Sequence, residues 1–440
     1  MADEKKIGVV LATAVGLGAI IGAGIFVLSG TAIALAGADA LLAFVIVGVL
    51  AVIMAMIFGE LGSIFPTLKG ASYSYVYKAF GSELGFITGI IKYFSYATSM
   101  SVISLGFGSY LSNLLGMPNS IGAIPFAILL MAVLSVITIM GLKKAASVDF
   151  SLVIVKVMVL VIFVGFALYF ALGHGGIALS NFTVSASQGT ISSLFAASIV
   201  VFFAYSGFQT ITTLTSRIKG GGRSAAMATL FSVLISMAIY MAVVFSLMAM
   251  LSASKYTING DPLSIALQQT NAPQWLLVLT DVGAMIATAS ATLAMLISGS
   301  MMMFQISEDR LLPKLFRTYN KKRDVATTGV IASAIIGTIM LFSGNIYVIT
   351  SISNFGMLFA YLMTSFALIH FRRRSVVSQF RVPLYPYTPI AAITMILLFM
   401  FGMPKEALVI GVIMVLSLII MYYSLREAKD KHVVRVRLFN

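Results

Sequence analysis

Long apolar segments recur along the whole chain, and they constrain its fold more than any other feature. A helix that crosses a bilayer needs about 20 mostly apolar residues. Twelve segments meet that requirement, at about 7–36, 40–65, 83–115, 121–141, 148–172, 190–215, 225–251, 275–306, 326–343, 345–371, 385–402 and 405–425. Only 10% of the 440 residues are charged, against about a quarter in soluble domains. The sequence therefore predicts an all-α integral membrane protein with twelve transmembrane helices, numbered span 1 to span 12.

The distribution of Lys and Arg indicates the orientation of these spans. An even number of spans places both termini on one side. Of the 28 basic residues, 24 fall in the termini and loops of that side, and only Lys255 and Lys405 fall on the other. Basic loops remain in the cytoplasm. We therefore expect a multi-pass protein of the cell membrane with both termini cytoplasmic. Membrane lipid, and not nucleic acid, then balances the net charge of +14.

The segments between the spans are too short for a soluble domain. The longest, near 252–274 and 307–325, hold roughly 20 residues each and contain no P-loop pattern. With no cysteine and 3 scattered histidines, neither a disulfide nor a zinc site is expected. No nucleophile, base and orienting group fall at a shared depth. We therefore predict a protein that is not an enzyme and that uses no cofactor or metal.

The middle of span 1 is rich in glycine. It reads GLGAIIGAGIFVLSG over 16–30, with Gly18, Gly22 and Gly24 in its central turns. Glycine weakens a helix by about 1 kcal/mol relative to alanine, and backbone groups freed inside a bilayer need partners. The pattern favours an unwound point whose amides and carbonyls bind a solute. Close helix packing is the alternative, because small residues four apart also promote it.

Span 6 contains a similar interruption. The segment FFAYSGF, 202–208, places Ser206 and Gly207 at a similar depth among aromatic residues. Spans 1 and 6 begin two sets of five helices that enter the membrane from opposite sides. Interrupted helices at matching positions of two inverted repeats indicate a transporter site. We therefore predict inverted five-helix repeats over 1–172 and 173–375, followed by spans 11 and 12 and a basic cytoplasmic tail over 376–440.

Four motifs lie in order along the chain. They are GAGIF at 22–26, GELGSIFPTLKGASYSYVYKAFG at 59–81, FFAYSGF at 202–208 and SEDRLLPKLF at 307–316. Together they resemble the amino acid–polyamine–organocation superfamily, which shares the leucine-transporter fold, over about 1–375. Three features depart from that family, and one of them is Arg310 in place of the glycine of the last motif. Gln209 stands where many members have glutamate, and SRIKGGGRSAAM at 216–227 lacks the usual acidic pair and prolines.

The resemblance implies a substrate site between spans 1, 3, 6 and 8, alternating access, and a solute with an amine and a carboxylate. Amides in the second half of span 1 would bind the carboxylate, and carbonyls at both breaks would bind the amine. Phe203 would cover the site, and Tyr96 would line the opposite wall. The predicted substrate-binding residues are Ile20, Ile21, Gly22, Ala23, Gly24, Ile25, Tyr96, Phe202, Phe203, Ala204, Tyr205, Ser206 and Gly207.

Lys156 lies in the apolar segment SLVIVKVMVLVIFVGF of span 5. A charge inside a membrane is costly and usually functional. Desolvation favours the neutral form of a lysine, so Lys156 could exchange a proton in each cycle. In the resemblance, some proton-coupled members carry a lysine here whose ammonium fills a sodium position, with Gly18 and Ser290 as its expected neighbours. The alternative is a lysine that extends to the cytoplasmic interface.

Three other charged residues of the spans are expected at interfaces. Lys92 in span 3 is predicted to lie at the cytoplasmic interface, because that helix is expected to begin well inside the cytoplasm. Glu60 falls at a cytoplasmic helix end and is expected to pair with the basic loops. Asp281, near the outer start of span 8, is expected to be an interfacial carboxylate, with a role in an outer gate as the alternative.

These observations favour a secondary active transporter of amino acids that works by proton-coupled symport. The predicted pocket holds no fixed charge, which favours small or aliphatic neutral amino acids as substrates. An amino acid or amine exchanger would share this architecture and remains an alternative. A channel would need a continuous polar pore, and the sequence shows no selectivity filter. The oligomeric state is left open.

Overall fold

The computed structural model of the protein describes residues 6–68, 70–141, 149–186, 190–258, 260–320, 322–323, 325–343 and 346–438. Within these ranges the chain is helical, and its β contacts are two isolated bridges, Ile7–Ile218 and Asn320–Val325. Lys69 of the second motif and residues 142–148, at the start of span 5, lie outside the described ranges.

The described residues form α-helices labelled α1 to α17 in chain order. They are α1 Val9–Ile20, α2 Ala23–Ala36, α3 Asp39–Ile64, α4 Ser72–Phe80, α5 Ser82–Leu114, α6 Asn119–Met140, α7 Asp149–Gly173, α8 Gly175–Ala186, α9 Ile191–Ala204, α10 Gln209–Thr212, α11 Gly221–Met250, α12 Pro262–Gln269, α13 Gln274–Glu308, α14 Thr327–Met340, α15 Ile346–Arg373, α16 Tyr387–Phe401 and α17 Lys405–Leu438. Short 3-10 turns join some of them.

Eight helical segments within the described residues are long and apolar enough to cross a membrane. The pair α1 and α2, bent by 47° at its break, would form a ninth, and α14 and α16 are shorter apolar helices. The 33-residue α5 is richer in Ser, Tyr and Gly and is largely buried. Spans 1 and 6 each overlap two helices, α1 with α2 and α9 with α10, and every other predicted span overlaps one helix. The helices α4, α8 and α12 were not predicted. The crossing number of twelve stays a prediction.

The long helix α5 occupies the centre of the bundle, where it contacts α6, α13 and α15. Its small polar side chains join it to α15. The Ser95 hydroxyl donates to the carbonyl oxygen of Ser353 at 2.8 Å, and the Ser99 and Ser353 hydroxyls lie 2.7 Å apart. Such hydrogen bonds hold helices together where the surrounding lipid provides no hydrophobic driving force. The candidate site therefore lies beside a fixed central helix.

Glu60, near the end of α3, is buried and forms an ion pair with Arg372 at the end of α15. The Val382 amide donates to the same carboxylate at 2.6 Å. Glu60 thus pairs with a basic residue after span 10, as its position predicted. Pairing and hydrogen bonding of both charges offset the cost of burying them.

Candidate functional site

The first break separates α1 from α2 at Ile21 and Gly22. Gly22 has φ −119° and ψ −139°, which ends the helical path, and none of the described side chains caps the start of α2. The amide of Gly22 turns back to the carbonyl oxygen of Ile20 at 2.8 Å. The first amides of a helix have no partners within it and carry its positive dipole end. The structure thus places an uncapped helix N-terminus in the middle of span 1.

The second break separates α9 from α10 and includes residues 205–208. The Ser206 amide donates to the carbonyl oxygen of Phe203 at 3.1 Å, and the chain then passes through Gly207 at φ +116°. That conformation strongly favours glycine. The amide of Gly207 donates to Oε1 of Gln209 at 3.2 Å. The second break is therefore closed by hydrogen bonds from its own residues.

The two breaks lie directly against each other. A Cβ atom on Gly24 would lie 2.2 Å from Cα of Ala204, and a Cβ on Gly207 would lie 2.3 Å from the carbonyl oxygen of Ala19. Both contacts are with backbone atoms. Any side chain at either glycine would therefore force the two broken helices apart.

Tyr240 of α11 connects the ends of both interrupted helices. Its buried hydroxyl lies 2.8 Å from the carbonyl oxygen of Ile20 and 3.0 Å from that of Ala204. These carbonyls belong to the last residues of α1 and α9, where helices leave acceptors without partners. Sequence reasoning missed Tyr240. A tyrosine in the middle of span 7 was its signal in the sequence, and other hydroxyl residues of the same span, such as Ser232 and Ser236, made that signal weak.

A cavity of about 540 Å³ lies beside the breaks. Its walls come from α1, α5, α6, α7, α13 and the segment around Gly207 and Gln209. Most of the described lining side chains are apolar, and Lys156 is the charged group among them. None of the described residues that line it is acidic. A largely apolar cavity with a few polar groups is the usual form of a small-molecule site.

All three residues predicted for coupling line this cavity. The side chain of Lys156 is only 1% exposed, and Gly18 and Ser290 line the same cavity as Lys156. Helix α7 approaches α1 closely here, because a Cβ on Gly18 would lie 2.2 Å from Cγ2 of Val153. Lys156 is therefore buried next to span 1 in the folded protein, and it does not extend to an aqueous interface.

The predicted substrate-binding residues divide into two groups. Tyr96 and Gly207 line the cavity. The others form the adjoining breaks and are buried, with Phe203 3% and Ser206 6% exposed. Their backbone groups lie next to the cavity without forming its wall in this conformation. The members of this second group are Ile20, Ile21, Gly22, Ala23, Gly24, Ile25, Phe202, Phe203, Ala204, Tyr205 and Ser206.

The prediction for Lys92 was wrong. Its side chain is 1% exposed, and Nζ lies 4.8 Å from the ring centre of Tyr96 and 5.3 Å from that of Tyr361. Helix α5 begins at Ser82, so Lys92 is about 15 Å along it, at 1.5 Å per residue. The Tyr361 hydroxyl donates to Oε1 of Gln209 at 2.8 Å. Lys92 therefore lies directly behind one residue of the cavity wall, Tyr96, and Tyr361 connects it to a second, Gln209.

Asp281 is also buried, which corrects the expectation of an interfacial carboxylate. It accepts hydrogen bonds from Ser264 of α12 and from Asn113 at the end of α5, the latter at 2.8 Å. Nearby, Nδ2 of Asn119 donates to Asp261 at 3.1 Å. Burial raises the pKa of the Asp261 carboxyl, and the hydrogen bond from Asn119 opposes that rise. We call these five residues the polar cluster.

Comparisons with known proteins are consistent with this geometry. The methylthioribose transporter of Bacillus subtilis is 28% identical, and the alignment covers 89% of this chain and 87% of that protein. The branched-chain amino acid permease BcaP of the same species is 24% identical, and the alignment covers 97% of this chain and 94% of that protein. Its serine/threonine exchanger SteT is 27% identical over 89% of both chains.

A solved structure shares the fold. The crystal structure of a mutant manganese transporter from Eremococcus coleocola aligns with 98% of this chain and 96% of that chain, with a TM-score of 0.55 and 14% identity. The model of the amino acid permease family matches residues 7–424. This match confirms the resemblance to the amino acid–polyamine–organocation superfamily. Because it includes both breaks, the cavity and nearly all of the helices, the chain belongs to the amino acid permease family.

Proposed function

We propose that this protein is a secondary active transporter of neutral amino acids, and that it couples their movement to protons through Lys156. The observation that carries this proposal is the cavity, which brings a buried lysine together with Gly18, Ser290 and the break at Gly207. A membrane-embedded cavity beside two interrupted helices is typical of carriers. The membership in the amino acid permease family supports amino acids as the substrate class.

The helix ends at the two breaks suit a zwitterion. The N-terminus of α2 offers the amides of Ala23, Gly24 and Ile25 to a carboxylate. The carbonyl ends of α1 and α9 offer acceptors to an ammonium group, including those of Phe202 and Phe203. Helix dipoles favour the same polarity. The backbone can thus bind the groups that all amino acids share, and the cavity is left to accommodate the side chain.

The charge of the cavity favours neutral substrates. Lys156 lines it, and none of its described lining residues is acidic. A cationic side chain would therefore find repulsion and no partner, which makes arginine and polyamines poor substrates. The names of the relatives do not decide between the classes. BcaP and SteT are named for branched-chain amino acids and for serine and threonine, whereas relatives from Arabidopsis thaliana are named cationic amino acid transporters.

Lys156 would carry the proton. In the proposed cycle its amine binds a proton while the substrate is bound, and the ammonium releases that proton when the site faces the other side of the membrane. Ser290 and the backbone near Gly18 lie beside it in the cavity. Removing the amine should therefore abolish the dependence of uptake on pH while the backbone site for the amino acid persists.

Alternating access requires two structural repeats that can move against each other, and we propose that this protein contains them. Twelve crossings with both termini in the cytoplasm would place the break in α1–α2 in a repeat over 1–172, and the break in α9–α10 in a repeat over 173–375. The contact between Gly24 and Ala204 would then lie where the two repeats meet. Opening and closing of the cavity would move one repeat against the other.

Uptake into proteoliposomes tests the proton coupling. We expect an inward gradient of one pH unit to raise the steady-state accumulation of leucine or serine in the wild type by about 10-fold, because one coupled proton then adds about 1.4 kcal/mol of driving force. Lys156→Ala should abolish that dependence. Lys78→Ala, which removes an exposed lysine from α4, is the control and should behave as the wild type.

Exchange is the second candidate function, because one relative is named as a serine/threonine exchanger. If the wild type takes up amino acid only when the vesicles contain amino acid, at every pH gradient, exchange replaces symport and Lys156 has a structural role. Unlabelled methylthioribose belongs in the competition panel, because another relative is named for it. Inhibition by that compound alone would overturn amino acids as the substrate class.

A further inference from the structure

Lys92 is a second buried lysine beside the cavity, and the proposed transport cycle does not use it. Its side chain is 1% exposed, deep in the bundle on α5. Among the residues that the structure describes, its Nζ has no hydrogen-bond partner. A buried ammonium without a hydrogen bond is costly, and the rings of Tyr96 and Tyr361, which face Nζ, are the described groups that stabilise its charge. A charge retained inside a membrane protein is usually functional. Its surroundings indicate what that function is.

Lys92 contacts two tyrosine rings, and each ring either lines the cavity or bonds to a residue that lines it. Its Nζ lies 4.8 Å from the ring centre of Tyr96, which itself lines the cavity. It also lies 5.3 Å from the ring centre of Tyr361, whose hydroxyl donates to Gln209, another lining residue. The ammonium is thus separated from the cavity by Tyr96 on one side and by Tyr361 and Gln209 on the other.

The side chains between Lys92 and the cavity do not neutralise the positive charge of Lys92. The faces of tyrosine rings stabilise a nearby cation, but they carry no net charge. Gln209 is a neutral amide. In a wall of low dielectric, the field of a buried charge extends into the adjoining cavity. Since none of the described lining residues is acidic, this positive field adds to that of Lys156.

We propose that Lys92 determines the charge specificity of the transporter: its ammonium, behind Tyr96 and Gln209, makes the cavity reject solutes with a cationic side chain. This proposal rests on the proposed function and narrows its substrate class. Lys92 touches neither the breaks nor the cavity surface, so it is a specificity-determining residue and not a part of the binding surface. Neutral side chains enter because they carry no charge for the field to repel.

Competition between free lysine and norleucine tests the proposal. The two amino acids differ in essence by the terminal ammonium, so the ratio of their inhibition constants against labelled leucine uptake isolates the effect of that charge. In the wild type we expect norleucine to inhibit at least about 10-fold more strongly. Lys92→Met should lower this ratio by about 10-fold, because it removes the charge and keeps most of the side-chain volume.

Three further variants separate charge from packing. Lys92→Arg retains the charge and should retain the ratio, and Lys92→Gln should lower it as Lys92→Met does. Lys78→Met, on the exposed face of α4, is the matched control for loss of a lysine and should leave the ratio unchanged. Fluorescence-detected size-exclusion profiles establish whether each variant is folded before its ratio is measured.

Several results would overturn the proposal. One is a ratio of inhibition constants in Lys92→Met that lies within about threefold of the wild-type ratio. Another is a ratio in Lys92→Arg that falls as far as the ratio in Lys92→Met. If only Lys92→Arg yields folded protein, the charge serves folding and not specificity. A wild type that takes up free lysine as readily as norleucine removes this proposal and leaves amino acid transport standing. A wild type that takes up no amino acid removes both.

Discussion

The two interrupted helices satisfy their freed backbone groups in different ways. At the second break, the amides of Ser206 and Gly207 bond to Phe203 and Gln209, so the protein closes the interruption itself. At the first break, α2 begins immediately after Gly22 without a cap from any described side chain. The comparison teaches that similar sequence interruptions need not have the same role. The second break fixes the geometry, and the first leaves the initial amides of α2 uncapped by any described side chain, as the proposed binding of a carboxylate requires.

The largest effect is expected where the two breaks touch. Gly24→Ala places a Cβ about 2.2 Å from Cα of Ala204, and neither backbone can move without separating α2 from α9. Overpacking of this kind costs roughly 1–3 kcal/mol. We expect amino acid uptake in proteoliposomes to fall to background. Gly165→Ala is the control, because a Cβ at that position would have no described atom within 4 Å. Wild-type uptake in Gly24→Ala would show that the breaks need not touch.

A smaller effect is expected where the second break closes on itself. Gln209→Leu leaves the Gly207 amide and the Tyr361 hydroxyl without their acceptor. Each buried group without a partner costs about 1–3 kcal/mol. The apparent thermal unfolding temperature of purified protein should therefore fall, and Gln209→Glu, which keeps an acceptor oxygen, should lose less. Equal temperatures for the two variants would mean that the second break is not held by this side chain.

The smallest effect is expected at the hydroxyl that joins the two breaks. Tyr240→Phe removes its contacts with Ile20 and Ala204 and should cost about 0.5–1.5 kcal/mol of stability. Tyr256→Phe removes a similar buried hydrogen bond, to the carbonyl of Leu247 at 2.7 Å, away from the breaks. Both should lower the unfolding temperature alike, but only Tyr240→Phe should slow uptake. If both slow it equally, the role of Tyr240 is stability alone.

Local sequence features predicted the helices and the places where they break. Apolar length identified the eight described helical segments that could cross a membrane. Glycines identified the interruptions near Gly22 and Gly207, because helix propensity and backbone freedom are properties of short segments. Lys156 was noticed for the same reason, as a charge within an apolar run. Such features need no knowledge of which helices become neighbours.

Contacts between distant segments were beyond the sequence. Lys92 was placed at an interface because nothing near it in the chain reveals that Tyr361 of α15 covers it. Tyr240 is an ordinary span residue until α1 and α9 bring their carbonyl ends to its hydroxyl. Asp281 was judged by its depth along α13, although its burial depends on Ser264 and Asn113 from other elements.

The polar cluster around Asp281 and Asp261 has a consequence for how easily this end of the bundle can open. It is held by hydrogen bonds between carboxylate, hydroxyl and amide groups. When such groups separate, water molecules take the place of the lost partners, so each bond to a carboxylate contributes only about 1.5–3 kcal/mol net. A seal of interlocked apolar side chains would instead expose hydrocarbon to water. If the proposed transport cycle opens this end of the bundle, these hydrogen bonds would break and re-form by thermal motion alone.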